Sequence, residues 1–169
     1  GALVVLAEKG GLRQEQESAR APRLSEHPFS SERKRMSSVH RVQGERIAYV
    51  KGAAEVVLPR CALADEERAA ATAAAEAMEK RALRVLALAR RRLPRNLDDD
   101  AEAVEQHLEL LGLVGMWDPP RPEVPEAIRR CQEAGIRLIL VTGDSGRTAE
   151  AIARSIGLVR GAVHVISGG

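Results

Sequence analysis

The sequence predicts an α/β protein in two parts: an antiparallel sheet with flanking helices, followed by a piece of a parallel α/β domain. Strand patterns joined by a hairpin turn at residues 43–45 indicate the antiparallel part. An apolar run at 138–141, followed at once by a helix pattern, is typical of a strand in a parallel sheet. Three prolines between residues 117 and 122 break regular structure, so we place a hinge there and expect domains at 1–117 and 118–169.

The composition limits the classes of function. Of the 169 residues 44% are hydrophobic but only 2% are aromatic, so the core must be aliphatic. A net charge of +2 gives no general attraction to nucleic acid, and no apolar run reaches the roughly 18 residues that a transmembrane helix needs. Cys61 and Cys131 lack metal-ligand spacing, so we expect reduced thiols. The sequence opens inside an apolar helix pattern without a signal peptide, and we interpret it as a piece of a longer protein.

The first part begins with helix and strand signals. A helix pattern at 2–9 ends at a pair of glycines, and the polar segment 13–23, which contains a proline, is predicted to be a loop. A polar, basic turn at 30–35 joins the first two strands. Five short strands are predicted, at 24–29, where Pro28 interrupts the pattern, and at 36–42, 47–50, 83–89 and 110–116. Apolar residues alternate along 83–89, which is predicted to be mostly buried.

Helices and loops separate the later strands of the first part. Lys51 and Gly52 end the third strand and open a helix over 54–58 that stops at a proline. Asp65 is expected to cap an alanine-rich helix that runs to about residue 80. The segment 90–101 is polar and ends in an acidic run, so it is predicted to be a solvated loop.

The second part follows an αβαβ pattern. Helices are predicted at 125–134 and 145–156, each ended by a glycine, and strands at 136–141 and 162–166. This order predicts a parallel sheet covered by helices. An exposed edge of that sheet can pair with a second copy, so we expect a possible dimer through either strand.

Thr142, Gly143 and Asp144 end the predicted strand at 136–141. At the carboxyl end of a parallel strand the hydroxyl can donate to a phosphoryl oxygen, and the glycine lets the backbone approach it. The aspartate can orient magnesium or its waters. A tight turn at Gly143 with Asp144 as a helix cap is an equally good interpretation of the residues alone.

Two basic groups in the first part are compatible with a nucleotide. Phe29 is followed by Arg33 and Lys34, so a ring can stack on a base while cations meet phosphate. Lys51 lies beside Gly52 at a strand end, from which it can reach into a cleft. A core phenylalanine beside a solvated turn, and an exposed lysine at a turn, are the alternatives.

Three further charged residues are candidates. Arg84 lies within an otherwise apolar strand, and a buried arginine needs an anionic partner, either a carboxylate of the protein or a ligand phosphate. Asp118 and Arg121 lie in the proline-rich hinge, where they can pair with each other or reach a ligand. The alternative for this segment is a plain linker.

Five motifs occur in the order found in P-type cation-transporting ATPases, and together they cover nearly the whole chain. The sequence is most similar to the calcium-pump-like branch of that family. The motifs are FSSERKRMS (29–37), YVKGAAE (49–55), LRVLALA (83–89), GMWDPPRP (115–122) and VTGD (141–144) with Thr148 and Ala149. The resemblance implies that the first part is a nucleotide-binding domain and that the second is a segment of a phosphorylation domain with a haloacid-dehalogenase-like fold.

The resemblance also implies roles in the nucleotide-binding domain. Phe29 would stack on adenine, Lys51 with Gly52 would line the pocket for adenine and phosphate, and Lys34 would support it. Arg84 would contact the phosphates of ATP.

Further roles are implied for the phosphorylation domain. Thr142 would contact the phosphoryl group on a catalytic aspartate, while Gly143 and Asp144 would shape the site for ATP and Mg²⁺. Asp118 and Arg121 would lie at the hinge between the domains.

Three residues depart from the family pattern. Ala54 stands where proline is usual, Ser31 where arginine is frequent, and Trp117 where an aliphatic residue is usual. The phosphorylated aspartate of the family's D-K-T-G-T motif is not in this sequence. We therefore expect the chain to bind ATP or ADP without hydrolysing it.

The implied parent protein is a membrane-bound hydrolase that transports a cation. It would use ATP and Mg²⁺, and this chain would lie at the cytoplasmic face of the membrane. Its partners would be the rest of the phosphorylation domain, the actuator domain and the transmembrane domain. Two alternatives remain: a stand-alone phosphatase of the dehalogenase superfamily with a cap domain, and an interaction module without a ligand.

Overall fold

The hairpin predicted around Gly44 lies at the centre of a five-stranded sheet in the computed structural model, which describes residues 1–166. The strands lie side by side in chain order, and the first four pair antiparallel. They are β1 (Arg23–His27), β2 (Arg35–Val42), β3 (Glu45–Ala53), β4 (Arg84–Leu93) and β5 (Glu109–Met116). The five predicted strands are therefore confirmed, and the predicted loop at 90–101 is wrong over its first four residues. Arg90 to Arg92 pair with β3 and lie between the buried residues Ala89 and Leu93, so their charge did not end the strand.

Residues 1–166 contain seven α-helices and a short 3-10 helix at Leu58–Arg60. The α-helices are α1 (Ala2–Lys9), α2 (Gln14–Arg20), α3 (Ala54–Val57), α4 (Asp65–Glu79), α5 (Ala101–Val104), α6 (Val124–Glu133) and α7 (Gly146–Ser155). The loop predicted at 13–23 is wrong, because Pro22 lies beyond the end of α2 and leaves its good helix formers free to fold. Asp65 is the first residue of α4 rather than its cap, and the backbone N–H of Ala64 donates to Glu67 instead, at 3.0 Å.

The hairpin between β2 and β3 has a loop of two residues. Gln43 and Gly44 have φ angles of 50° and 84°, and Val42 pairs with Glu45. Two consecutive positive φ angles are typical of a type I′ turn, whose twist matches that of the flanking strands. The turn therefore fixes the register of β2 against β3.

The chain divides into two compact units. The first contains Gly1–Thr72 with Leu86–Val114, and the second contains Ala73–Val85 with the described residues from Gly115 onward. The domain boundary expected near residue 118 stays a prediction.

The core of the first unit lies on one face of the sheet. Val39, Ala48, Leu93 and Val104 form a buried cluster, and Leu97 packs against it. Because side chains alternate along each strand, the same face of β2 also buries Arg35 and Ser37. The opposite face of β2 is only partly covered.

The second unit contains α6 and α7 but lacks the predicted parallel sheet. Neither 136–141 nor 162–166 is a strand in the described structure, and the side chains of Ile139 and Val141 are 79% and 89% exposed. A parallel strand needs hydrogen-bonded neighbours and helices on both faces, which two short apolar runs do not supply to each other. The predictions of two strands there are wrong, and the dimer expected through their edges loses its structural basis.

Gly52 lies in close contact with the start of β2. A Cβ atom on this residue would lie 2.5 Å from Arg35 Cβ and 2.7 Å from the carbonyl oxygen of Lys34. Both atoms belong to backbone or to a side-chain root, so they cannot move aside without displacing the strand.

We therefore expect Gly52→Ala to lower the free energy of unfolding by about 3 kcal/mol, the upper part of the range for overpacking. Urea unfolding followed by circular dichroism measures this change. Gly161→Ala is the matched control, because a Cβ atom at Gly161 would meet nothing within 4 Å. Equal stabilities of the two variants would contradict the close approach.

Candidate functional site

The candidate residues of the first unit gather at one end of the sheet. Phe29 lies two residues beyond β1, Lys34 immediately precedes β2, and Lys51 and Gly52 lie near the end of β3. Strand register places Lys51 directly between Met36 of β2 and a leucine of β4, Leu88. Candidate residues that are distant in the sequence thus lie at the same end of the sheet.

A shallow cavity of about 220 Å³ lies over this end of the sheet. It is mainly apolar, with one cation, and is lined by Met36, Ser37, Ser38, Tyr49, Val50, Lys51, Leu88, Ala89 and Leu111. Of the predicted site residues, Lys51 lines it. The sequence analysis missed Tyr49 and Leu88, although strand alternation, which places residues 49 and 51 on one face, was the signal that could have identified the first.

Phe29 is 58% exposed, so the alternative of a core phenylalanine is wrong. An exposed aromatic ring at a sheet end, near a cavity with apolar walls, can stack on a planar ligand. A nucleotide base and a lysine-bound phosphate fit this set of side chains.

Lys34 occupies a constrained backbone position. Its φ angle is 49°, in the left-handed region that non-glycine residues rarely adopt. Its N–H donates to the carbonyl of Ser30 at 2.8 Å, and its own carbonyl accepts from the N–H of Ala53 at 3.0 Å. The Lys34 ammonium lies 3.6 Å from Glu55 Oε1, and both side chains are exposed.

A buried carboxylate binds the two neighbours of Lys34 in the sequence. Glu105 has no exposed surface, and its oxygens accept hydrogen bonds from Arg33 Nη2, from Arg35 Nε at 2.5 Å and from Ser37 Oγ at 2.8 Å. Arg33 therefore binds a carboxylate of the protein, whereas the sequence suggested that it meets phosphate. Alternation along β2 could have marked Arg35 as buried, but no sequence signal identified its partner 70 residues away.

A second glutamate extends this cluster toward solvent. Glu102 Oε2 lies 3.4 Å from Arg35 Nη2, and its Oε1 lies 3.1 Å from Arg60 Nη1. Desolvation raises the pKa of Glu102, but hydrogen bonds from Arg60 and Gln106 and the charge of Arg35 outweigh it and lower the pKa overall. Glu102 is thus held in its charged form.

Arg84 and Asp144 pair within the second unit. Arg84 Nε lies 3.2 Å from Asp144 Oδ1, and the Arg84 side chain is 63% exposed. The prediction that Arg84 is buried is therefore wrong. Its partner is a carboxylate of the protein, which was one of the two partners that the sequence analysis considered. The Asp144 side chain is 22% exposed, so both partners keep contact with solvent. Surface pairs contribute only about 0–1 kcal/mol, so Arg84 can exchange Asp144 for another anion.

Thr142 and Asp144 form a local turn. Thr142 Oγ1 donates to Asp144 Oδ2 at 3.2 Å and accepts from the Asp144 N–H at 3.1 Å. The cap of α7 is Ser145, whose hydroxyl accepts from the Thr148 N–H at 3.3 Å, so the alternative of Asp144 as the cap is wrong. A Cβ atom at Gly143 would meet nothing within 4 Å, so the backbone there is open to an approaching group.

Asp118 and Arg121 are exposed in the irregular segment that precedes α6. The carbonyl of Arg121 accepts from the N–H of Val124 at 3.1 Å. No ion pair found within residues 1–166 joins their two side chains. The proposed pairing of Asp118 with Arg121 is therefore not present.

Within the part of the chain that the structure describes, no three His, Cys, Asp or Glu side chains converge as metal ligands. No helix among residues 1–166 combines the length and the hydropathy that crossing a bilayer requires.

Comparison with known proteins gives one consistent result. The sequence model described as P-type ATPase, cytoplasmic domain N, matches residues 1–123. The chain is 38% identical over 156 residues to calcium-transporting ATPase 1 of Bacillus cereus, covering 86% of the chain and 18% of that protein. It is 37% identical over 179 residues to a calcium-transporting ATPase of Bacillus subtilis, covering 99% and 20%. Similarity to the cation-transporting ATPase pma1 of Synechocystis is 39% over 167 residues, covering 94% and 18%. The chain thus spans about a fifth of the length of these relatives.

The buried cluster predicts a large effect of removing one charge. Glu105→Gln leaves Arg35 buried without its counter-charge, so we expect a loss of about 3–5 kcal/mol in the free energy of unfolding, as for other broken buried pairs. Urea unfolding measures it. Glu109→Gln is the control: Glu109 binds Arg90 at 2.8 Å, but both side chains are exposed, and we expect little change. Similar losses of unfolding free energy in both variants would contradict the prediction that burial makes the Glu105 ion pair more important than the exposed one.

Proposed function

The chain belongs to the P-type ATPase family through its cytoplasmic domain N, and from this we propose that it is the nucleotide-binding part of a cation-transporting ATPase. One observation carries the proposal beyond family membership. The exposed ring of Phe29, the ammonium of Lys51 and the apolar cavity lie at the same end of one sheet. A nucleotide site needs this combination: a ring to stack on the base, an apolar surface beside the base and a cation for the phosphates.

We propose that the adenine of ATP or ADP occupies the open face of the sheet. Phe29 stacks on the base, and Met36 and Leu88 give it an apolar floor. Lys51 extends from between these two side chains, where its ammonium can reach the edge of the base or the phosphates. Gly52 keeps the backbone beside Lys51 close to β2 and so aims the lysine outward.

The phosphates are proposed to meet the exposed cations. In the first unit Lys34 holds the exposed Glu55, and in the second unit the exposed Arg84 holds the partly exposed Asp144. A phosphate of higher charge can replace either carboxylate. In the second unit we propose that Thr142 donates to a phosphoryl oxygen while Gly143 allows its close approach. Asp144, once released from Arg84, would help to orient ATP with its Mg²⁺.

The whole-protein activity proposed here is cation transport driven by ATP through an aspartyl phosphate. Asp118 and Arg121 would act at the hinge between the nucleotide-binding domain and the phosphorylation domain, which we place at 118–169 and expect to have a dehalogenase-like fold in the parent. The parent would also carry actuator and transmembrane domains and would hold this chain at the cytoplasmic face. Phosphoryl transfer depends mainly on positioning and charge neutralisation, so a chain that binds ATP without the nucleophile would not turn over.

The match over residues 1–123 favours this function over a phosphatase or an interaction module. A phosphatase would hydrolyse p-nitrophenyl phosphate in the presence of Mg²⁺. We expect no turnover by this chain, and sustained turnover would favour the phosphatase.

The stacking role of Phe29 is directly testable. Phe29→Ala should weaken nucleotide binding by about 5- to 150-fold, because base–aromatic stacking contributes about 1–3 kcal/mol. Titration with the fluorescent analogue TNP-ATP, with ATP as competitor, measures the dissociation constants. Leu24→Ala removes an exposed apolar side chain from β1 and should leave affinity unchanged. Equal affinities of wild type and Phe29→Ala would remove the base site from the proposal.

A further inference from the structure

Glu105 is fully buried, and it is not among the residues proposed to contact the nucleotide. We infer that Glu105 and Arg33 are positioning residues: they fix the loop at 28–35 so that it presents Phe29 and Lys34 to the nucleotide. The inference rests on the proposed function and assigns to that site a support that does not touch the ligand.

The first step is the connection from Glu105 to Phe29. Arg33 Nη2 donates to Glu105 Oε1, while Nη1 of the same guanidinium donates to the carbonyl of Pro28 at 3.3 Å. The N–H of Arg33 also donates to Ser30 Oγ at 3.2 Å. Because a guanidinium is planar and holds its N–H groups in fixed directions, it places the Pro28 carbonyl relative to the buried carboxylate. Pro28 immediately precedes Phe29.

The second step concerns Lys34. Arg35 Nε donates to Glu105 Oε2 at 2.5 Å, and Arg35 Nη1 donates to the carbonyl of Arg33 at 3.1 Å. The residues on both sides of Lys34 are therefore held by one carboxylate. This clamp explains how Lys34 keeps a left-handed backbone, with a φ angle of 49°, without being a glycine.

The low exposure of Arg33 favours a positioning role over direct binding of phosphate. The side chain of Arg33 is 27% exposed, and its charge is neutralised by a carboxylate that has no contact with solvent. Phe29 is 58% exposed, so little packing holds its ring, and the backbone on either side must set its position. A loop ordered in advance binds ligand more tightly, because less conformational entropy is lost on binding.

The chain contains a single phenylalanine, which gives a specific probe of the loop. Incorporation of 4-fluorophenylalanine labels residue 29 alone, and its ¹⁹F resonance reports the surroundings of that ring in the full chain. We expect Arg33→Met to shift this resonance toward its position in the urea-denatured chain, with the far-UV circular dichroism unchanged. Arg33→Met removes the connection to the Pro28 carbonyl, while Arg35 remains as a counter-charge and Ser37 as a hydrogen-bond donor to Glu105.

Arg41→Met is the matched control for this measurement. Arg41 is an exposed arginine near the other end of β2, and its replacement should leave the resonance in place. Glu105→Gln, measured under conditions where circular dichroism reports a folded chain, should shift the resonance in the same direction as Arg33→Met. A resonance that is identical in wild type and Arg33→Met would overturn the inference.

Affinity for two ligands then distinguishes positioning from contact. If Arg33 positions Phe29, Arg33→Met weakens binding of adenosine on the order of 10-fold, within the range for loss of one base–aromatic stack. It weakens binding of ATP by at least the same factor, because Lys34 lies in the same loop. A loss for ATP with unchanged adenosine affinity would make Arg33 a phosphate ligand and refute the inference. If the wild-type chain binds neither ligand, the proposed function itself fails, and this result is separate from the fluorine comparison.

Discussion

The rest of the first unit depends on how the charge of Glu105 is accommodated in its core. An ionised carboxylate is costly to bury unless it is paired and hydrogen-bonded. Arg33, Arg35 and Ser37 together supply three donors to it. This requirement ties the residue that follows α5 to the start of β2, across about 70 residues of sequence. The absence of a side chain at Gly52 lets β3 lie against Arg35 at the same place.

The register of β2 therefore determines which side chains lie on each face of the sheet. One face of β2 presents Arg35, Ser37 and Val39 to the core, and the other presents Met36 toward the cavity. A register shift of one residue would exchange these faces, placing the arginine in the cavity and the methionine against Glu105. The ion cluster that holds the core register thus also determines which side chains can meet a ligand.

Sequence reasoning succeeded where the signal is local. Short apolar segments bounded by turn residues indicated the five strands, and a polar turn containing Gly44 indicated the central hairpin. It failed where the outcome depends on distant residues: the partner of Arg35 lies 70 positions away, and the apolar run at 138–141 matches a buried strand by composition. A strand forms only with neighbours, which periodicity within one segment does not report. For the candidate site, the sequence analysis identified Phe29 and Lys51 but missed Tyr49 and Leu88, which line the cavity with Lys51.

The burial of each carboxylate partner sorts the cations that the sequence treated alike. Lys34 and Arg84 are paired with carboxylates at distances of 3.6 Å and 3.2 Å, and both cations are exposed. Pairs of this kind are weak and screened by water, so a polyphosphate with several charges can displace the carboxylate. Arg33 cannot exchange its partner in this way, because departure of its guanidinium would leave part of the charge of a fully buried Glu105 uncompensated. Exposed cations whose carboxylate partners keep contact with solvent are thus available to ligand, whereas Arg33, which neutralises a fully buried carboxylate, holds the loop that presents Lys34.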